Sequence, residues 1–78
     1  MEIAKIVGAN IKSARKRAGY KQVQVAKILD MDQRQYSRYE TGKFEISYYL
    51  MAFLSKLYDV SIDEFFEGVD VNVDINKK

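Results

Sequence analysis

The sequence of 78 residues contains no cysteine, no histidine, no proline and no tryptophan. Without cysteine and histidine, disulfide scaffolds and the usual Cys/His metal sites are excluded. Histidine is also the commonest general base, and the remaining Ser, Thr and Tyr hydroxyls are scattered along the chain. The sequence therefore predicts a protein that is not an enzyme and that carries no metal and no other cofactor.

Long apolar runs are missing as well. No segment approaches the roughly 20 apolar residues that a membrane span needs, and no N-terminal stretch resembles a signal peptide. A chain of this length has room for one domain, which would bury roughly 60% of the surface of the unfolded chain. We therefore expect a cytoplasmic protein that makes no membrane contact.

The net charge of +2 is distributed unevenly along the chain. Residues 1–56 hold eleven Lys and Arg against five Asp and Glu, whereas residues 57–78 hold two against six. A basic body with an acidic end indicates a polyanionic partner at one pole. Charge alone is equally consistent with an ordinary solvated surface.

Apolar residues spaced three or four apart predict three helices in the first half of the chain. The first ends before Gly19, because glycine tolerates the left-handed conformation that terminates helices. Asp32 predicts the start of the third, because its carboxylate can accept hydrogen bonds from the free amides of the next turn. The predicted ranges are about 2–18, 22–29 and 33–41.

The second half of the chain predicts two more helices and then a strand. Ser47 can cap the fourth helix, and Ser61 with Glu64 forms a capping box that opens a short fifth. From residue 69 apolar and polar residues alternate, which is typical of a strand with one apolar face. The apolar positions of that strand are Val69, Val71, Val73 and Ile75. The sequence therefore predicts an all-α, five-helix domain over residues 1–68 with a C-terminal β-strand extension over 69–78.

The stretch from Gln22 to Lys43 reads QVQVAKILDMDQRQYSRYETGK. Two short helices joined by about three residues form a helix-turn-helix, whose second helix fits the major groove of DNA. The outward residues of that helix suit base edges, because Arg can make two hydrogen bonds to guanine and Gln can make two to adenine. The predicted base-reading residues are Gln33, Arg34, Ser37 and Arg38.

The segment from Gly8 to Phe66 resembles the lambda-repressor/Cro-like helix-turn-helix family, often called XRE-type. Its marks are Gln22 opening the second helix, Ala26 facing the third, and the runs YETGK at 39–43 and VSIDEF at 60–65. Arg15 also falls where the family pairs an arginine of the first helix with the glutamate of the YETGK run, here Glu40. Together these marks imply a lambda-repressor-like DNA-binding domain.

The resemblance also implies roles at the DNA backbone. Gln22 would lie at the backbone and brace Gln33, and Lys43 with the main chain near Thr41 would lie on phosphate. The full set expected at the DNA backbone is Lys21, Gln22, Thr41 and Lys43. The chain departs from the family pattern at Lys21, where Ser or Thr usually caps, at Asp30, where Gly usually makes the turn, and at Tyr36, where a smaller aliphatic residue is usual.

We therefore hypothesise that the chain is a transcriptional regulator that binds double-stranded DNA and acts as a repressor. A lone strand leaves its backbone unpaired, so residues 69–75 of two copies would pair in a two-fold homodimer and match an inverted-repeat operator. Three alternatives remain open. The chain could be an antitoxin or partner-controlled regulator whose strand binds another protein, it could be a restriction–modification controller, or its tail could lack fixed structure.

Overall fold

The computed structural model describes residues 3–70. These residues form five helices: α1 (Ile3–Ala18), α2 (Gln22–Ile28), α3 (Gln33–Glu40), α4 (Tyr48–Tyr58) and α5 (Ile62–Phe65). The predicted helices are confirmed, with Leu29 and Thr41 as C-caps of α2 and α3 rather than as helical residues. Within the described range no helix has the length and apolar content needed to cross a membrane.

The predicted C-terminal strand is not seen in the described part of the chain. Val69 and Asp70 have no strand conformation, and the Val69 amide donates to the Phe66 carbonyl at 3.0 Å, which completes the turn after α5. An alternating pattern gives a strand only where a second strand supplies hydrogen bonds, and residues 3–70 contain none. Val71, Val73 and Ile75 lie outside the described residues.

Side-chain caps mark the starts of α3 and α4 but not the start of α5. Asp32 accepts a hydrogen bond from the Arg34 amide at 3.1 Å, and Ser47 accepts one from the Leu50 amide at 3.2 Å. The capping box expected at the start of α5 does not form, because the Ser61 side chain makes no cap hydrogen bond. The Glu64 carboxylate pairs instead with Arg17 of α1. Glu64 therefore connects α5 to α1 and does not take part in a capping box with Ser61.

The turn between α2 and α3 is made without the usual glycine. Asp30 adopts the left-handed conformation, with φ of 57°, which costs most residues roughly 1–2 kcal/mol. Aspartate is among the side chains that tolerate this region best. The Met31 amide then reaches back to the Ala26 carbonyl at 2.9 Å and closes the turn.

The core lies where α1 packs against α3, α4 and α5, and α2 joins it by packing against α3. It consists of Val7, Ile11, Ala14, Val25, Ala26, Tyr36, Leu54, Tyr58 and Phe65. α1 and the end of α3 come into close contact at Gly8, where a Cβ atom would lie 2.6 Å from the main-chain oxygens of both Tyr39 and Glu40. The absence of a side chain at Gly8 therefore lets α1 lie directly against the end of α3, which fixes the position of that helix.

Candidate nucleic-acid interface

The predicted base-reading residues share the outer surface of α3. Tyr36 and Glu40, four residues apart, are buried on the inner face of the helix. The opposite face therefore points outward, so that Gln33, Arg34 and Arg38 are exposed and Ser37 is half-buried. These four side chains are placed together, and their contact with DNA stays a prediction.

Gln22 and Gln33 are joined by a hydrogen bond between α2 and α3. The Gln33 Nε2 donates to Gln22 Oε1 at 3.3 Å, and the Gln22 Nε2 donates to Glu40 Oε1 at 2.9 Å. A shallow groove between the two helices is lined by Gln22, Asp32, Gln33, Arg34 and Ser37. The amide of Gln33 is thus held against α2 at the start of the exposed face.

Arg15 and Glu40 form an ion pair that fastens α1 to the end of α3. Arg15 Nε and Nη2 donate to the two carboxylate oxygens of Glu40 at 2.7 and 3.2 Å, and Arg15 Nη1 donates to the Tyr20 carbonyl at 2.8 Å. Only 6% of Arg15 and 4% of Glu40 is exposed. The hydrogen bonds to Glu40 raise the pKa of Arg15 even though burial acts in the opposite direction. The guanidinium therefore stays charged in the core.

Two buried tyrosines complete the surroundings of Glu40. The Tyr36 hydroxyl donates to Glu40 Oε2 at 2.5 Å and lies 2.8 Å from the Tyr58 hydroxyl. Burial raises the pKa of Tyr58 to about 12 and raises the pKa of Tyr36 further. The sequence did not predict this contact, although the large residue at position 36 was a signal that an additional polar group lies in the core.

The loop after α3 carries the residues expected at phosphate. Thr41 and Lys43 are exposed, and the amides of Lys43 and Phe44 both donate to the Arg38 carbonyl, at 2.9 and 3.1 Å. The Arg38 guanidinium lies over the Phe44 ring, 5.6 Å from its centroid. Such a cation–π contact restrains the guanidinium. Arg38 is therefore held above the loop that bears Lys43, an arrangement that the sequence did not predict.

Exposed cationic side chains surround this surface. Lys21 lies at the start of α2, Arg34 and Arg38 on α3, and Lys43 in the following loop. Lys21 itself caps nothing, because its side chain has no acceptor. Its amide instead donates to Gln24 Oε1 at 2.8 Å. The ammonium group of Lys21 is therefore left at the surface.

A pair of short helices with a tight turn and a polar, outward second helix defines a helix-turn-helix DNA-binding domain. Comparison with protein families matches residues 11–65 to the helix-turn-helix family. The chain belongs to this family, in its XRE, lambda-repressor-like form. Comparisons with curated proteins and with solved structures give no match.

Proposed function

We propose that the protein is a cytoplasmic, sequence-specific transcriptional repressor that reads an operator through α3. The observation that carries the proposal is the polar outer face of α3, held in place by Gln22 and Glu40 and surrounded by exposed cations. Contacts to phosphate provide affinity, and contacts to base edges provide specificity. Occupancy of the operator would then block polymerase.

Each surface residue has a role in this proposal. Gln33, Arg34 and Ser37 read base edges near the start of α3, and Arg38 reads a base further along with its guanidinium steadied by Phe44. The groups at the DNA backbone are Lys21, Gln22, Thr41 and Lys43. The buried pair Arg15–Glu40 supports them from beneath and contacts no DNA.

The two classes of contact predict different effects of substitution. Arg34→Ala should weaken binding to the cognate operator by about 1–3 kcal/mol and relax preference at one base pair. Lys43→Ala should weaken binding to all sequences similarly and lower the slope of log K against log salt by about one unit. Titrations of cognate and random duplexes at several salt concentrations measure both quantities.

Lys56→Ala is the control for this experiment, because it removes one exposed positive charge from α4 rather than from the proposed interface. It should change neither specificity nor the salt slope appreciably. Equal weakening of cognate and random DNA by Arg34→Ala would show that Arg34 does not read a base.

We also propose that the repressor is a homodimer joined through residues 69–75. Antiparallel pairing of two copies would bury the apolar face of each segment and leave Asp70, Asn72 and Asp74 in solvent. It would set two α3 helices roughly 34 Å apart, one turn of DNA, as an inverted repeat requires. The acidic charge of this part of the chain suits a pole directed away from DNA.

Substitution within the tail tests the dimer. Val73→Lys on the apolar face should convert the dimer to a monomer and weaken binding to a full operator, whereas Asn72→Lys on the opposite face should leave both unchanged. Truncation after Gly68 should have the same two effects as Val73→Lys, a monomeric protein and weaker binding to a full operator. Sedimentation measures association, and titration of whole and half operators measures binding. A truncated protein that stays dimeric and binds the full operator as tightly would refute the proposed pairing.

Selection of bound sequences from a random duplex pool tests the function as a whole. An inverted repeat that emerges from the pool supports a dimeric operator-binding protein. A pool that remains random after several rounds, with folded protein present, contradicts the proposal.

A further inference from the structure

A continuous chain of hydrogen bonds runs from the core to the outer face of α3. The Tyr58 and Tyr36 hydroxyls lie 2.8 Å apart, and Tyr36 donates to Glu40 Oε2 at 2.5 Å. Gln22 Nε2 donates to Glu40 Oε1 at 2.9 Å, and Gln33 Nε2 donates to Gln22 Oε1 at 3.3 Å. A buried residue of α4 is thereby connected to the first exposed residue of α3.

The carboxylate of Glu40 sets the direction of the inner bonds. A carboxylate can only accept hydrogen bonds, and Glu40 receives them from Arg15, Tyr36 and Gln22. Because Tyr36 gives its proton to Glu40, Tyr58 must be the donor in the bond between the two tyrosines. Burial raises the pKa of Tyr58 to about 12 and that of Tyr36 further, so both hydroxyls remain protonated at neutral pH.

The same carboxylate sets the direction of the outer bonds. Because the Glu40 carboxylate can only accept, the NH2 group of Gln22 points inward and donates to it. Gln22 Oε1 therefore faces Gln33 as an acceptor. That acceptor in turn holds the NH2 group of Gln33. The second N–H and the Oε1 of Gln33 are left for a base, which is the donor and acceptor pair that matches the major-groove edge of adenine.

We propose that the Tyr36 and Tyr58 hydroxyls are positioning groups for DNA specificity. By holding the Glu40 carboxylate they fix the Gln22 amide, and the Gln22 amide fixes which atoms Gln33 presents to a base. Without the Tyr36 hydroxyl, Glu40 Oε2 loses one of its donors and the carboxylate can turn toward other partners. Gln22 and Gln33 then lose their fixed orientation. The part of this inference that concerns DNA rests on the function proposed above.

Tyr36→Phe tests the inference through base preference. Binding is compared on duplexes that differ only at the base pair whose preference disappears in Gln33→Ala. Tyr36→Phe should reduce discrimination at that pair about threefold to tenfold, the effect of losing one neutral hydrogen bond between Gln33 and the base. It should leave discrimination at the pair read by Arg34 unchanged. The ratio of affinities for two duplexes cancels effects on phosphate contacts and on the folded fraction.

Two further variants sharpen this comparison. Tyr20→Phe is the matched control, because the Tyr20 ring packs against Tyr58 with centroids 5.9 Å apart but its hydroxyl lies outside the chain of hydrogen bonds. It should leave discrimination at both base pairs unchanged. Tyr58→Phe keeps the bond from Tyr36 to Glu40 and should reduce discrimination in the same direction by a smaller factor. It also serves as the readout if Tyr36→Phe folds poorly.

The side-chain amide resonances of Gln22 and Gln33 provide a test without DNA. In 1H–15N spectra of the free protein, Tyr36→Phe should shift both Nε2 groups, and Tyr20→Phe should shift neither. An unmoved Gln33 amide in Tyr36→Phe overturns the inference whatever the binding data show. Equal loss of discrimination at the Gln33 and Arg34 base pairs also overturns it, because that result indicates general loosening of α3. A wild-type protein without base preference would refute the proposed function. The amide resonances would still show whether the hydrogen bonds link Tyr36 to Gln33.

Discussion

Glu40→Ala is expected to lower the free energy of unfolding by about 3–5 kcal/mol, because it leaves a buried guanidinium without its ionic partner. Arg15 is only 6% exposed, and both of its bonds to Glu40 would be lost. The hydroxyl of Tyr36 would lose its acceptor in the same substitution. Small domains have total stabilities of about 5–15 kcal/mol, with the smallest near the lower limit. We therefore expect a substantial unfolded fraction at room temperature, measured by urea denaturation followed by circular dichroism.

A double-mutant cycle isolates the contribution of the ion pair. Arg15→Met and Glu40→Leu should each be strongly destabilising, and the double variant should recover part of the loss because neither charge is then buried alone. Arg17→Ala is the matched control, because Arg17 pairs with Glu64 through a side chain that is 57% exposed. Such a surface pair is worth about 1 kcal/mol or less. Strictly additive effects of the Arg15 and Glu40 substitutions would contradict the coupling.

Gly8→Ala is also expected to lower the free energy of unfolding substantially, although alanine favours a helix by about 1 kcal/mol over glycine. The added methyl group would lie 2.6 Å from two main-chain oxygens at the end of α3. Main-chain atoms cannot rotate away as a side chain can, so α3 must move as a unit. Overpacking of this kind costs about 3 kcal/mol at the upper end of its usual range. Thermal or urea unfolding of the variant measures the loss.

Gly19→Ala adds the same methyl group where no atom lies within 4 Å. Its only cost is the left-handed backbone at Gly19, where φ is 88°, and that cost is about 1–2 kcal/mol. Gly8→Ala should therefore destabilise the protein more than Gly19→Ala and should also weaken DNA binding, because α3 is displaced. A Gly8→Ala variant as stable as wild type would show that α1 and α3 can separate without cost.

Much of the fold could be predicted because its signals are local. Helical spacing, the Asp32 and Ser47 caps and Gly19 mark helix positions within a few residues of where they act. The outward position of Arg34 follows from the same periodicity, because the buried residues of α3 are spaced by one turn. The resemblance to a family supplied the expectation that Arg15 meets Glu40, which no local pattern contains.

The rest depends on contacts between distant residues. The Ser61–Glu64 capping box is a valid local signal, but the structure places Arg17 near enough to take the Glu64 carboxylate. The bond between Tyr36 and Tyr58 joins residues 22 positions apart, and a sequence pattern does not show which buried hydroxyls meet. The sequence predicts that Arg38 lies on the outward face of α3, but its position over Phe44 depends on the path of the loop, which the helical pattern does not contain.

The hydrogen bonds to Glu40 come from several helices, and this determines how the domain unfolds. Arg15 comes from α1, Gln22 from α2 and Tyr36 from α3, while Tyr58 of α4 supports Tyr36. An excised peptide with only α2 and α3 would keep the acid and lose its cationic partner, so it should not be an autonomous folding unit. In native-state hydrogen exchange, the slowest amides of α1 and α3 should accordingly exchange with the same free energy, as parts of one cooperative opening. In that case α3 cannot unfold by itself, and its structure is lost only when the entire domain unfolds.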